Sequence, residues 1–236
     1  MKKYFFAFAV LLFSQSCVYV ESLDDVPPRG QSTRTYDFKN FTAVQAGNAF
    51  RVHIVAGNTY EVSASGELND LDDLQIFVQK GELVLRYTDG WHNRRGRIDI
   101  DITMPVLTSL DYTGAVDSDV TGFENMDDVE IDLSGASKCD FVGSARRIEF
   151  DLTGASQLYM EGESQYLNGE LAGASQVNAF NYMVEEADMD LSGASTGKVW
   201  ATRFLKVDAS GASTVRYKGN PSIQKQLSGG STLRQE

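Results

Sequence analysis

Cysteine is nearly absent from the 236 residues: Cys17 and Cys139 are the only two, too few for a disulfide framework. Stability must therefore come from packing, and a chain that is 42% hydrophobic and 11% aromatic can bury a substantial core. Positive charge is scarce as well. With 21 Lys and Arg against 33 Asp and Glu, the formal charge is −12. Such a surface repels phosphate backbones and anionic lipid, so nucleic acid is not an expected partner. Histidine occurs only at 53 and 92. No helical periodicity is sustained, and the apolar run from Tyr4 to Phe13 is too short to span a bilayer.

That run nevertheless has a purpose. Lys2 and Lys3, the apolar stretch, and small or polar residues leading to Cys17 read as an export signal over residues 1–16. Its end resembles the lipobox of bacterial lipoproteins, although Ser14 stands where that pattern usually has Leu. The resemblance implies an acylated Cys17 as the first mature residue, a membrane held through lipid, and an outer-membrane lipoprotein facing the periplasm or the cell surface. Residues 17–32, with Pro27, Pro28 and an acidic trio of Glu21, Asp24 and Asp25, read as a tether.

From 33 to 105 the pattern is strand-like. "FRVHIV", "TYEVSAS", "LQIFVQ", "ELVLRY" and "RIDIDI" alternate apolar and polar residues, with turn signals between them. "GELNDLDDLQ" reads as a loop or a single turn. From 106 to 236 a repeat takes over, aligned on Gly114, Gly135, Gly154, Gly173, Gly193, Gly211 and Gly229 at intervals of 21, 19, 19, 20, 18 and 18 residues. A period near 19 excludes helical-pair solenoids, and the leucine-rich pattern is absent. Apolar pairs one residue apart flank each glycine, such as Ile131/Leu133 and Cys139/Phe141, so each unit supplies strands with one buried face. The expected fold is an all-β parallel β-helix, with two or three short strands per coil and glycine at the corners. One coil cannot bury its inward side chains. Stacking closes the face and pairs the backbone, at roughly 4.8 Å per coil.

In such a stack every repeated position becomes a ladder. Asp111, Asp132, Asp151, Glu170, Asp190 and Asp208 precede their glycines by three residues and point outward. They form either a solvated acidic face or a stripe for Ca²⁺, although one carboxylate per layer does not make a calcium cage and no GGxGxD loop occurs. Ser137, Ser156, Ser175, Ser195, Ser213 and Ser231 follow by two, and are expected to hydrogen-bond along the stack. Neither histidine lies near this row in sequence and no G-x-S-x-G elbow is present, which argues against nucleophilic catalysis. Cys139 reads as a small core residue. "GWHNRRGR" is the one dense cationic patch, and Trp91, His92, Arg94, Arg95 and Arg97 on its hairpin tip could grip an acidic glycan or pair with the protein's own acids.

An exported start, "FTAVQAGNAFRVHIVAGNTYEVSASG", "DLDDLQIFVQKGELVLRY", "IDIDITMPVLTSLDYTGAVD" and successive "LSGAS" units together resemble the putative auto-transporter adhesin, head GIN domain family, over about residues 36–220. The resemblance implies a right-handed parallel β-helix similar to pectin-lyase-like folds, in bacterial cell-envelope proteins. It carries no established catalytic residues. The expected function is a non-enzymatic, adhesin-like head without a cofactor, whose flat faces bind a glycan or a protein. Self-association through the solenoid end near Leu227 is a further expectation. The alternative is a carbohydrate-active β-helix enzyme acting on acidic polysaccharide. It would need acids beside a basic residue at a groove, whereas the outward cations Lys198, Arg216 and Arg234 come only late in the chain.

Overall fold

Alternation is realised almost residue for residue. The computed structural model describes residues 27–88 and 96–236. The chain runs through β1 (Gln31–Tyr36), β2 (Ala43–Ala46), β3 (Arg51–Ala56), β4 (Glu61–Glu67), α1 (Leu68–Asp73), β5 (Leu74–Gln79), β6 (Glu82–Tyr87), β7 (Asp99–Met104) and β8 (Ser109–Tyr112). It continues through β9 (Asp117–Leu133), β10 (Lys138–Leu152), β11 (Gln157–Leu171), β12 (Gln176–Leu191), β13 (Thr196–Ala209), β14 (Thr214–Lys218), β15 (Ser222–Leu227) and β16 (Thr232–Gln235). The coils form a β-solenoid of about seven turns, each near 19 residues.

Within the coils β8 to β16 pair in parallel, layer on layer, and the register is the repeat itself. Leu133 lies over Leu152, which lies over Leu171 and then Leu191. All four are buried, because the alternation turns every second side chain toward the axis. The coil is less segmented than expected. β9 to β13 each run 14 to 17 residues as one bent strand, broken only at the Gly-Ala corner. The other bend is absorbed inside the strand by register shifts. Between β9 and β10 the shift falls between Val142 and Ala145, opposite Gly122 and Asn125, both at positive φ. It accommodates the longest interval, from Gly114 to Gly135.

The corner glycines stack directly. At each of them φ is positive, from 66° to 92°. The carbonyl of one glycine accepts the N–H of the alanine in the next layer, as in Ala155 N to Gly135 O at 2.7 Å. An added Cβ would point at that carbonyl. The column extends one layer further than the repeat suggests, to Asn48 at φ 66°, whose carbonyl accepts from Ala115 N at 2.6 Å. Asparagine is the residue after glycine best suited to that backbone region.

The serine row is buried from Ser137 to Ser213, but its hydroxyls do not mainly bond along the stack. They close their own corner: Ser137, Ser156, Ser195 and Ser213 donate to the carbonyls of Ser134, Thr153, Ser192 and Ser210, three residues back, at 2.7–3.0 Å. Ser195 and Ser213 also approach each other at 3.4 Å, while the buried Ser175 hydroxyl has no partner. A short local bond to a fixed carbonyl outcompetes a longer one between layers.

Toward the N-terminus the stack changes character. β3 lies on β9 in parallel and β7 on β3, after which β4 and β1 add antiparallel. On the other side β2 lies on β8, and the β5–β6 hairpin closes that edge. The segment read as a loop or single turn is instead the six-residue helix α1. The Glu67 side chain accepts from Asn69 N at 2.7 Å to start it, and Leu71 anchors it in the core. Among the described residues no helix is long and apolar enough to cross a membrane.

Candidate functional site

Because the inward residues before each corner are fixed by packing, the residues between them must face out. Asp111, Asp132, Asp151, Glu170, Asp190 and Asp208 are cross-strand partners in that order, one per layer. A second outward column runs beside them, two residues earlier: Ser109, Glu130, Glu149, Asn168, Asp188 and Lys206. Sequence reasoning missed it, although the signal was available five residues before each glycine.

The two columns line a shallow groove of about 500 Å³ with Asp111, Glu130, Asp132, Glu149, Asp151 and Glu170 on its walls. Asp132 stands in one of its two middle layers. Burial, then the charges of Glu130, Asp111, Asp151 and Glu149, push its carboxyl up to about 6. A hydrogen-bond donor meets the columns at one end and a counter-charge at the other. Gln45 donates to Asp111 at 2.7 Å, and the Lys206 ammonium lies 2.9 Å from Asp188 and 3.5 Å from Asp208. Among the described residues no three His, Cys, Asp or Glu side chains converge to hold a metal ion.

Beyond the corner a different outward face forms. One column there reads His53, Asp119, Asp140, Tyr159, Asn178, Lys198, Arg216 and Arg234, changing from acidic to basic along the stack. His53 pairs with Asp119, and Lys138 holds Asp140 at 2.6 Å.

Of the residues singled out in sequence, Cys17, Trp91, His92, Arg94 and Arg95 lie outside the described residues. Arg97 is half-exposed and pairs with Asp117 at 3.3 Å, so this cation is engaged by the protein's own acid. Cys139 is buried beneath Leu158, and burial pushes its thiol up to about 12, which leaves no thiolate for chemistry.

Flat, charged outer sheets on an uninterrupted stack define a β-solenoid that presents surfaces. The chain belongs to the putative auto-transporter adhesin, head GIN domain family, which it matches over residues 40–221. This places it in an adhesin-like class of cell-envelope or surface proteins. Among solved structures it is similar to a putative adhesin from Bacteroides fragilis, at 20% identity and a TM-score of 0.79, covering 89% of this chain and 99% of that one. A putative adhesin from Parabacteroides merdae shares 15% identity at a TM-score of 0.69, covering 89% and 98%. A putative lipid binding protein from Parabacteroides distasonis shares 16% at 0.70, covering 89% and 98%. At these identities the likeness shows the fold. Among the curated proteins none matches the chain.

Proposed function

We propose that the protein is a non-enzymatic cell-envelope lipoprotein, tethered through Cys17, whose solenoid head binds a glycan or a protein partner on its flat outer sheets. The observation that carries this reading is the regularity of the stack. From Gly114 to Gly229 no long insertion rises between corners from which a deep cleft could be built, while each outward position is repeated at one spacing along the axis. The N-terminal sequence supports export and acylation, and the family supports adhesion. The test has two parts. Metabolic labelling with an alkyne palmitate should tag the wild type and not Cys17→Ser, and the full-length protein should retain specific components on a glycan and envelope-protein array. Absence of label defeats the anchor, and absence of retention defeats the binding head.

The groove at Asp132 favours a second reading, a carbohydrate-active enzyme. A carboxyl that keeps its proton to about pH 6 can act as a general acid beside ionised neighbours. Its walls are carboxylates, so its substrate would be a neutral or cationic glycan rather than an acidic one. Release of reducing ends by the wild type, lost in Asp132→Asn, would establish this reading over the first.

A further inference from the structure

Positive charge is the rarer sign in this chain, and most described cations are engaged. Arg29 and Arg34 share Asp72, Arg51 meets Asp99, Arg146 meets Asp128, and Arg203 meets Glu186. The outward face of the last coils is different. Lys198 lies opposite Arg216, and Arg216 opposite Arg234, as direct cross-strand partners at the same position in three successive layers. Arg216 reaches Glu236 at 3.0 Å. Lys198, Lys218 and Arg234 have no carboxylate partner among the described residues.

Like charges directly opposite on adjacent strands oppose pairing. On the acidic face Lys206 meets the problem at one end of the columns; here Glu236 meets Arg216 alone, and Lys198 and Arg234 have no carboxylate among the described residues. Two of the cations, Lys198 and Lys218, also share an aromatic ring. Phe180 falls at the register shifts that β12 makes against both β11 and β13. A bulge of this kind re-aims a side chain. The Lys198 and Lys218 ammonium groups lie 5.8 and 4.5 Å from its ring centroid. Beside the cations runs a column of Thr196, Thr214 and Thr232, which are hydroxyl donors and acceptors in the same three layers.

We infer that this face, centred on Lys198, Arg216, Arg234 and Lys218, binds an extended acidic polysaccharide laid along the solenoid axis. One carboxylate or sulfate meets each cation, and sugar hydroxyls meet the threonines. Charge complementarity selects the class. The cations recur at the layer spacing of roughly 4.8 Å, so an extended chain that carries an anion on each repeating unit can meet them in series. The ligand must also be thin enough to lie on a narrow cationic strip of a molecule whose net charge is −12. The inference rests on the binding reading above and names the face and ligand class for it.

The test measures binding of the purified full-length protein to polygalacturonate, dextran sulfate and unmodified dextran by calorimetry. The variants are a triple Lys198→Ala, Arg216→Ala, Arg234→Ala and a control triple Arg51→Ala, Arg146→Ala, Arg203→Ala, which removes the same charge from paired positions. Thermal melts confirm that both fold. The expected result is binding of one or both polyanions, weakened about tenfold or more in the first triple and unchanged in the control. Preference between the carboxylated and the sulfated chain identifies the anion. Equal loss in both triples, no loss in either, or equal binding of unmodified dextran overturns the face assignment. If neither polyanion binds but the array retains another component, the ligand class is wrong and the binding head stands. If nothing is retained on the array, the underlying reading fails.

Discussion

At Gly154 an added Cβ would lie 2.6 Å from the carbonyl oxygen of Gly135, the same oxygen that accepts the Ala155 N–H at 2.7 Å. The backbone there also has φ +73°, which an L side chain adopts at a cost of about 1–2 kcal/mol before any clash. Gly154→Ala is therefore expected to destabilise the fold by roughly 2–4 kcal/mol, read as a fall in melting temperature or urea midpoint. Gly230 sets the opposite case. It stands where the other six units carry alanine, its φ is not in the left-handed region, and its added Cβ meets nothing nearer than Gly211 O at 3.6 Å. Gly230→Ala should stabilise by about 0.4–1 kcal/mol by narrowing the unfolded ensemble. If both variants melt with the wild type, the corner column is not a steric constraint. The glycine repeat was legible in the sequence because seven copies align. Asn48 was not, because a single asparagine 66 residues upstream carries no periodic signal.

Phe150 and Gly169 show why one unit lacks an apolar residue where its neighbours have one. They are partners in adjacent layers, and a Cβ on Gly169 would fall 2.1 Å from the Phe150 ring. The ring occupies two layers' share of the core, so volume is conserved across the pair rather than within each coil. Phe150→Ala should cost about 3–5 kcal/mol. Gly169→Ala should also destabilise, and combining it with Phe150→Leu should cost less than the sum of the two single changes, by about 0.5–3 kcal/mol in a double-mutant cycle. Additive effects would show that the two positions do not share space. At this scale strand alternation and layer register were readable, since one face of each strand is buried and the repeat supplies the alignment. The N-terminal pairings were not readable. β7 accepts β3 in parallel and β4 antiparallel, a choice made by tertiary packing between segments whose alternation looks alike. The second acidic column obeys the same alternation as the first, but its residue type changes from Ser109 through Glu130, Glu149, Asn168 and Asp188 to Lys206, so no constant residue marks it in the sequence.

Across the molecule, stability and charge are both distributed along the axis. β15 is exposed at all six residues, with Ile223 41% and Leu227 38% accessible, whereas β10 to β12 are sandwiched between neighbours. In hydrogen exchange, amides of β15 should exchange first and those of β10 and β11 last; uniform protection would mean that the coils open only together. The acidic groove adds a pH dependence whose sign is fixed by Asp132. Its ordinary value is 3.8 and its folded value about 6, so between those limits the folded state holds more protons than the unfolded one. Stability therefore falls as pH rises through that window, and the penalty is complete above it. Asp132→Asn removes the charge permanently. Because the side chain is partly exposed, screening keeps the effect below about 1 kcal/mol, or about 2 °C in a chain of this size. The variant should melt above the wild type at pH 7 and with it at pH 4. A constant difference across that range would mean that Asp132 ionisation is not coupled to folding. A rise of the wild-type melting temperature with CaCl₂ beyond that with NaCl of equal ionic strength would show the repulsion being relieved by a bound ion rather than by a proton.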